Sequence, residues 1–266
     1  MLKREYKQEL LRKYALSQGD DLLLARLLDK VEARQRSGTP QSTRFLTQRD
    51  LLCCLPMLKE LGERYVLWGG YEGAERLCLI LPGDWQEDED VKGGSACPVA
   101  VLRASYRGDV SLSHRDFLGA LMGMGVERET VGDILPRAGS CDIAVLRELL
   151  PFLLSGFDQA GRTRLTLEEV DAAEPIEAQF RIIRDTLASL RLDALVGSGF
   201  SLAREKAAEA IRAGKVTLNS LECLKPDKAV QEGAKVSLRG MGKIELVSVG
   251  GVSRKNRTIV EIKRYI

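Results

Sequence analysis

Apolar and polar positions change rhythm twice along the chain, which divides it into three regions. Over residues 1–62 the period is helical. Leu22, Leu23, Ala25, Leu27, Leu28 and Val31 recur at helical spacing and share one side of a predicted helix. Asp20 is its capping candidate, and Gly19 is placed to close the helix before it. The stretch SGTPQST, from Ser37, breaks the pattern. Thr47 with Asp50 three residues on makes a capping arrangement ahead of LLCCLPMLKELG. Pro56 predicts a kink or a split in that helix, because proline lacks an amide hydrogen and crowds the preceding turn.

From Tyr65 the period shortens to that of strands. YVLW and RLCLILP flank a glycine stretch containing Gly69, Gly70 and Gly73. The acidic segment DWQEDEDVKGGSACP reads as a loop, and VAVLRASY as a third strand. SHRDFLGALMGMG predicts a helix capped by Ser113 and Asp116 and ended by Gly125. CDIAVL is a fourth strand, RELLPFLLSGF a helix and RTRLTLEEV a final strand. Alternation of this kind predicts an α+β sandwich of the ferredoxin-like or RNA-recognition type over 63–174. DAAEPIEAQF is an acidic junction.

The third region spans 180–266. A short helix from Leu192 to about Val196 leads to a turn at Gly197, Ser198 and Gly199. Ser201 is placed to cap a second helix ending near Ala213, with Gly214 as its stop. KVTLN follows as a strand. Ala203, Ala207, Ala210 and Ile211 form an apolar stripe. Arg204 and Arg212, about 80° apart around the helix, share one flank beside it.

Composition sharpens this division. The chain has 266 residues, 44% hydrophobic and 29% charged, enough for one to three self-supporting cores. No apolar run reaches the length of about 18 residues that a membrane span requires. The charged N-terminus, with Glu5, Glu9, Asp20 and Asp21, is unlike a secretory signal, so a cytoplasmic protein is expected. Six cysteines without a Cys-x-x-Cys pair, and a single histidine, argue against a zinc site. Net charge is +2, but residues 180–266 carry 17 Lys and Arg against 9 Asp and Glu. A basic final third behind an acidic body points to a polyanion-binding module on a scaffold.

Arg191, Arg204, Lys206, Arg212, Lys215, Arg239 and Lys243 are the candidate phosphate contacts, each weighed against an ordinary solvated charge. Ser201 and Asn219 could add hydrogen bonds to phosphate or a 2′-hydroxyl. Few aromatics accompany them, and the main candidate, Phe200, could equally pack in the core; this scarcity favours recognition of folded RNA by shape over stacking on single strands. Arg254, Lys255, Asn256 and Arg257 read as a basic loop between two strands. It could contact phosphate or serve as a solubilising hairpin tip.

Catalytic signals are weak. The glycine stretch lacks the Gly-Lys-Ser/Thr of a P-loop and the Gly-x-Gly-x-x-Gly of a dinucleotide site, so it reads as a tight strand connection. Arg76 beside it is a phosphate contact or a surface residue. His114 and Asp116 have no nucleophile in view. Asp193 reads as a helix-start residue, although Arg191-Leu192-Asp193 echoes the aspartate motif of pseudouridine synthases. No catalytic residue, cofactor or metal is expected.

Arg191-Leu192-Asp193, Ser201 through Ala207, Ile211, Gly214-Lys215-Val216 and Asn219, followed by VQEGAKVSLRGMGKIEL, resemble the RNA-binding domain named after ribosomal protein S-four. Ser201 and Arg204 are spaced differently from that family's commoner adjacent pair, and Asn219-Ser220 replaces its frequent Asn-Gly turn. FLTQRD, GGYEGAER, LSHRDFLGALMGMGVERETVGDIL, RGMGK and GGVSRKNRTIVEI, in this order, resemble the bacterial YlmH family over nearly the whole chain. That resemblance implies a monomeric, cytoplasmic, non-enzymatic protein. It would bind ribosomal RNA of the large subunit and tRNA in ribosome-associated quality control of stalled nascent chains. A link to cell division has also been suggested for the family. The rival expectations are an RNA-modification enzyme with an appended targeting domain, catalytic within 65–170, and a division-linked interaction protein docking through its N-terminal helices.

Overall fold

In the computed structural model, which describes residues 2–107, 110–176 and 179–265, helices and antiparallel sheets make an α+β architecture. The chain divides into two units, Met1–Ile176 and Glu177–Ile266. No described helix is long and apolar enough to cross a membrane.

The first unit begins with α1 (Arg4–Tyr14), α2 (Asp20–Ser37), β1 (Gln41–Leu46), α3 (Gln48–Leu61), β2 (Val66–Trp68) and β3 (Leu77–Leu81). The strands form an antiparallel sheet in the order β1-β3-β2. Leu24, Leu27, Leu28 and Val31 of α2 pack with Met57 and Leu58 of α3 against Leu79 and Leu81. Burying each such side chain contributes about 1.5–3 kcal/mol. The capping box at Thr47 and Asp50 forms as the sequence predicts, with the Thr47 amide donating to Asp50 Oδ2 at 2.8 Å.

Three local expectations are corrected. Residues 41–46 are a strand, because Gly38 in the left-handed region (φ 66°) ends α2 and the chain leaves extended. Helix α3 is not split at Pro56 but runs on through it, held by the buried residues Cys53, Cys54, Met57 and Leu58 on either side. Gly19 (φ 99°) begins α2 instead of closing α1, which ends at Tyr14. Asp20 lies inside α2 and accepts the Leu16 and Ser17 amides at 2.9 and 2.8 Å.

The second half of this unit runs β4 (Val99–Ser105), α4 (His114–Gly123), β5 (Val131–Arg137), β6 (Ser140–Leu146), α5 (Leu150–Gly156), a small hairpin of β7 (Gln159–Ala160) and β8 (Thr163–Arg164), and β9 (Thr166–Val170). The order β5-β6-β4-β9, all antiparallel, is that of a βαββαβ ferredoxin-like sandwich. Strand alternation gives the sheet two faces. Leu102, Ala104, Cys141 and Ile143 pack on Phe117, Leu121, Leu150 and Leu153 of the helices. On the opposite face, Val99, Ala144 and Leu146 pack on Phe45, Cys78 and Ile80 of the three-stranded sheet. Strands β2 and β3 therefore cover the sandwich instead of joining its sheet. Strand β5 is absent from the sequence pattern because Gly132 and Pro136 interrupt its alternation.

The second unit comprises β10 (Phe180–Leu187), α6 (Leu192–Phe200), α7 (Arg204–Arg212), β11 (Val216–Leu218), β12 (Leu221–Glu222), β13 (Lys235–Leu238), β14 (Gly242–Val252) and β15 (Thr258–Tyr265). Its sheet has the order β10-β15-β14-β13-β11-β12. Leu192, Leu195, Val196, Phe200, Ala207 and Ile211 pack on Ile244, Leu246, Val260 and Ile262. Phe200 is thus a core residue.

Two expectations fail here. Gly197 to Gly199 are helical, because α6 continues to Phe200. A Cβ on Gly199 would lie 2.5 Å from Ile244 Cδ1, so glycine is required by close helix–sheet approach and not by a turn. Ser201 does not cap α7. It sits at the C-terminal end of α6 in the left-handed region (φ 57°), and α7 starts from Ala203 without a side-chain cap. Ala203 is accordingly exposed, and Ala208 takes its place in the buried stripe.

Candidate nucleic-acid interface

The nine residues singled out by sequence fall into distinct places on the second unit. Arg191 and Arg204 meet at Asp193, which is only 4% exposed. Arg191 donates to both carboxylate oxygens at 3.2 and 3.1 Å, and Arg204 Nε donates to Oδ2 at 3.2 Å. Burial pushes the Asp193 carboxyl up, but the hydrogen bonds from Arg191 and Arg204 outweigh it and hold it below the usual carboxylate range. The Asp193 amide also donates to Pro226 O at 2.9 Å. Asp193 therefore fastens the start of α6 to the start of α7 and to the 226 loop.

Lys206, Arg212, Lys215 and Arg239 are exposed, and among the described residues no ion pair within 4.0 Å engages them. The Arg239 amide donates to Lys215 O at 2.9 Å, which places these two residues side by side at the ends of β13 and β11. Arg212 closes α7 three residues before Lys215. These three cations form one rim. Lys206 lies on the outer face of α7. Lys243 is half-buried on β14, its ammonium 5.5 Å from the centre of the Tyr265 ring.

Asn219 stands at the far end of β11, about 13 Å from Lys215 at the rise of a strand. With Ser220 it makes a two-residue hairpin in which both φ angles are positive, 49° and 68°. Its Oδ1 accepts the Lys235 amide at 2.9 Å, leaving the side-chain NH2 to donate outward. The hydroxyl-bearing Ser201 is exposed beside the α6–α7 junction. The basic run from Arg254 to Arg257 forms the tip of the β14–β15 hairpin. Arg257 folds back to donate to Thr186 Oγ1 at 3.0 Å.

In the first unit, the sheet face opposite α4 and α5 is occupied. At its apolar end lies the three-stranded sheet. A Cβ on Gly132 would fall 2.6 Å from Phe45 Cε1, so the two layers approach closely. At its polar end Asp142, fully buried, accepts Arg103 Nε at 2.7 Å, Arg103 Nη2 at 2.9 Å and Arg137 Nη1 at 3.0 Å. Burial raises its pKa, and these arginines with the Glu174 amide more than reverse the shift. No base can stack on that face while the layers are joined.

The glycine loop between β2 and β3 is anchored, not open. Asp133 accepts the Tyr71 hydroxyl at 2.8 Å, the Glu75 amide at 2.7 Å and the Arg76 amide at 3.2 Å. Gly70 (φ 94°) and Gly73 (φ 89°) supply the left-handed turns. Sequence reasoning missed Arg128, which lies beside Arg76. Its only signal was its place in a charged run just ahead of an unrecognised strand.

Comparison with known proteins adds context. Residues 101–174 match the family model described as "Putative RNA-binding domain in YlmH". The chain is 29% identical over 227 residues to the "Ribosome-associated protein quality control protein P2" of Bacillus subtilis (strain 168), covering 84% of this chain and 86% of that protein. A solved structure, "Cell division protein ylmH from Streptococcus pneumoniae", is 22% identical. It covers 59% of this chain and 93% of that one, with a TM-score of 0.48.

Proposed function

We propose that the chain is a protein of the YlmH type, as the match of residues 101–174 and the 29% identical relative support, and that it is a non-enzymatic RNA-binding protein of the ribosome, engaging large-subunit RNA and tRNA in quality control of stalled nascent chains. The second unit is its principal RNA-binding element and reads as an S-four-type module. The observation that carries this reading is the rim of Arg212, Lys215 and Arg239, exposed, adjacent and unpaired with carboxylates among the described residues. Such cations release counterions from an RNA backbone when they bind it, which makes affinity depend steeply on salt. Arg191 and Arg204, fixed by Asp193 at the other end of α7 from Arg212, present oriented N–H groups of their own. The 29% identical Bacillus subtilis protein, ribosome-associated by its name, supports the choice of partner. The protein works in the cytoplasm as a monomer on this reading.

Sedimentation with ribosomes at low and high salt tests the proposal. The protein should travel with the large subunit at low salt and dissociate at high salt. An Arg212→Ala/Lys215→Ala/Arg239→Ala variant, folded by circular dichroism, should remain in the free fraction at both. Wild-type protein that stays free at low salt would refute the ribosomal assignment.

A further inference from the structure

Half-buried arginines of the first unit generally end on carboxylates. Arg49 meets Asp20 at 2.8 Å, Arg103 and Arg137 meet Asp142, and Arg147 meets Glu169 at 2.7 Å. Arg76 and Arg128 do not. Both are half-buried, and both are held by backbone carbonyls. Arg76 Nε donates to Val131 O at 3.1 Å, and its Nη2 donates to Phe45 O and Arg128 O at 3.4 Å each. Arg128 Nη1 donates to Val131 O at 2.5 Å and Gly132 O at 3.2 Å. The two guanidinium groups therefore converge on one oxygen, and among the described residues no ion pair joins either of them to a carboxylate.

Nearby acids offset the pair only through space: Asp133 acts on both arginines, and Asp50 and Glu129 act on Arg76, without an ion pair among the described residues. Asp133 spends its oxygens on Tyr71, Glu75 and Arg76 amide or hydroxyl donors, which order the glycine loop that carries Arg76. Glu129 is drawn to Arg44 at 3.2 Å, and Glu127 bonds the same arginine. Burial lowers the proton affinity of both arginines, and Arg76 lowers that of Arg128 further. His114, at the first turn of α4, feels burial first and then Arg128, and its pKa falls below the usual histidine value. Asp133 offsets part of the repulsion between the two cations, and an anion bonded to both would offset more of it. Each arginine keeps N–H groups beyond those given to carbonyls, in the planar fork that fits a tetrahedral oxyanion.

We propose that Arg76 and Arg128 form a phosphate-binding site on the first unit, which takes a phosphodiester of the RNA backbone. The choice of RNA rests on the function proposed above; the phosphate chemistry rests on the arginine pair alone. It gives the sandwich a mode of RNA contact at its loop edge, where its covered sheet face offers none.

Two readouts on the full chain test the site. Inorganic phosphate, titrated at constant ionic strength, should raise the melting temperature of the wild-type protein saturably by a few degrees. An Arg76→Gln/Arg128→Gln variant should lose this response. Binding of a stem-loop RNA, followed by fluorescence anisotropy against salt, should show a log–log slope reduced by about one to two units in the variant. Should the double variant fail to fold, Arg128→Lys keeps the charge but not the fork, and its phosphate response should weaken at nearly unchanged stability. Equal protection of wild type and variant, or protection of neither, would overturn the site. Phosphate protection lost in the variant, with no RNA bound by the wild type, would uphold the site and sink the RNA assignment.

Discussion

Asp142 shows what a single residue holds together. It is fully buried, and three donors from Arg103 and Arg137 converge on it across β4, β5 and β6. Removing one partner of a buried ion pair leaves the other charge desolvated, at a cost of about 3–5 kcal/mol. Asp142→Asn should therefore destabilise the first unit by about 3 kcal/mol at neutral pH, measured by urea unfolding. The carboxyl's pKa is depressed in the folded state. Its contribution is thus complete above the unfolded value, near 4, and is lost as pH falls through the lower folded value. The gap between wild type and variant should narrow when the same titration is run at pH 3. A gap constant between pH 7 and pH 3 would show that the charge is not the stabilising agent. Asp193 follows the same logic in the second unit, and there the two arginines it restrains are also candidate RNA contacts.

At the scale of elements, close approach explains why some positions carry glycine and why parts of the fold escaped the sequence. Gly132 lies on β5 where Phe45 of β1 crosses it, and an added methyl would sit 2.6 Å from that ring and 2.9 Å from Ala144 Cβ. Gly132→Ala should cost about 1–3 kcal/mol through overpacking, with RNA affinity per folded molecule unchanged. Calorimetry with an active-fraction titration would check both halves of that statement. Strands with clean alternation, such as 99–105 and 140–146, were legible, as were the capping boxes at Thr47 and Ser113. Strands β1, β5 and β10 were not. β1 follows a glycine and a proline, β5 carries both, and β10 exposes most of its residues, so none has a strong period. The turn expected at Gly197–Gly199 failed for the reason that makes Gly132 necessary. A glycine required by a packed neighbour looks the same in sequence as one required by a bend. Basic residues of the candidate interface were readable one by one. Their grouping was not, since Asp193 captures Arg191 and Arg204, and only strand pairing brings Lys215 to Arg239.

On the scale of the whole molecule, charge and core divide along the same line. Residues 180–266 carry 17 basic and 9 acidic side chains, and the rest of the chain is correspondingly acidic. The second unit has its own apolar cluster, from Leu187 to Ile262, assembled from residues of that unit alone. A fragment of residues 179–266 should therefore fold by itself and unfold in one cooperative step. It should also hold most of the salt-sensitive affinity for RNA, because the rim of Arg212, Lys215 and Arg239 goes with it. Its salt slope should be shallower than that of the full chain by about the one to two units that Arg76 and Arg128 supply. Equal slopes for fragment and full chain would confine RNA binding to the second unit and leave the first a scaffold. A fragment that melts cooperatively but binds no RNA would move the interface to the acidic unit, where the arginine pair beside the glycine loop is the strongest remaining anchor for a phosphate.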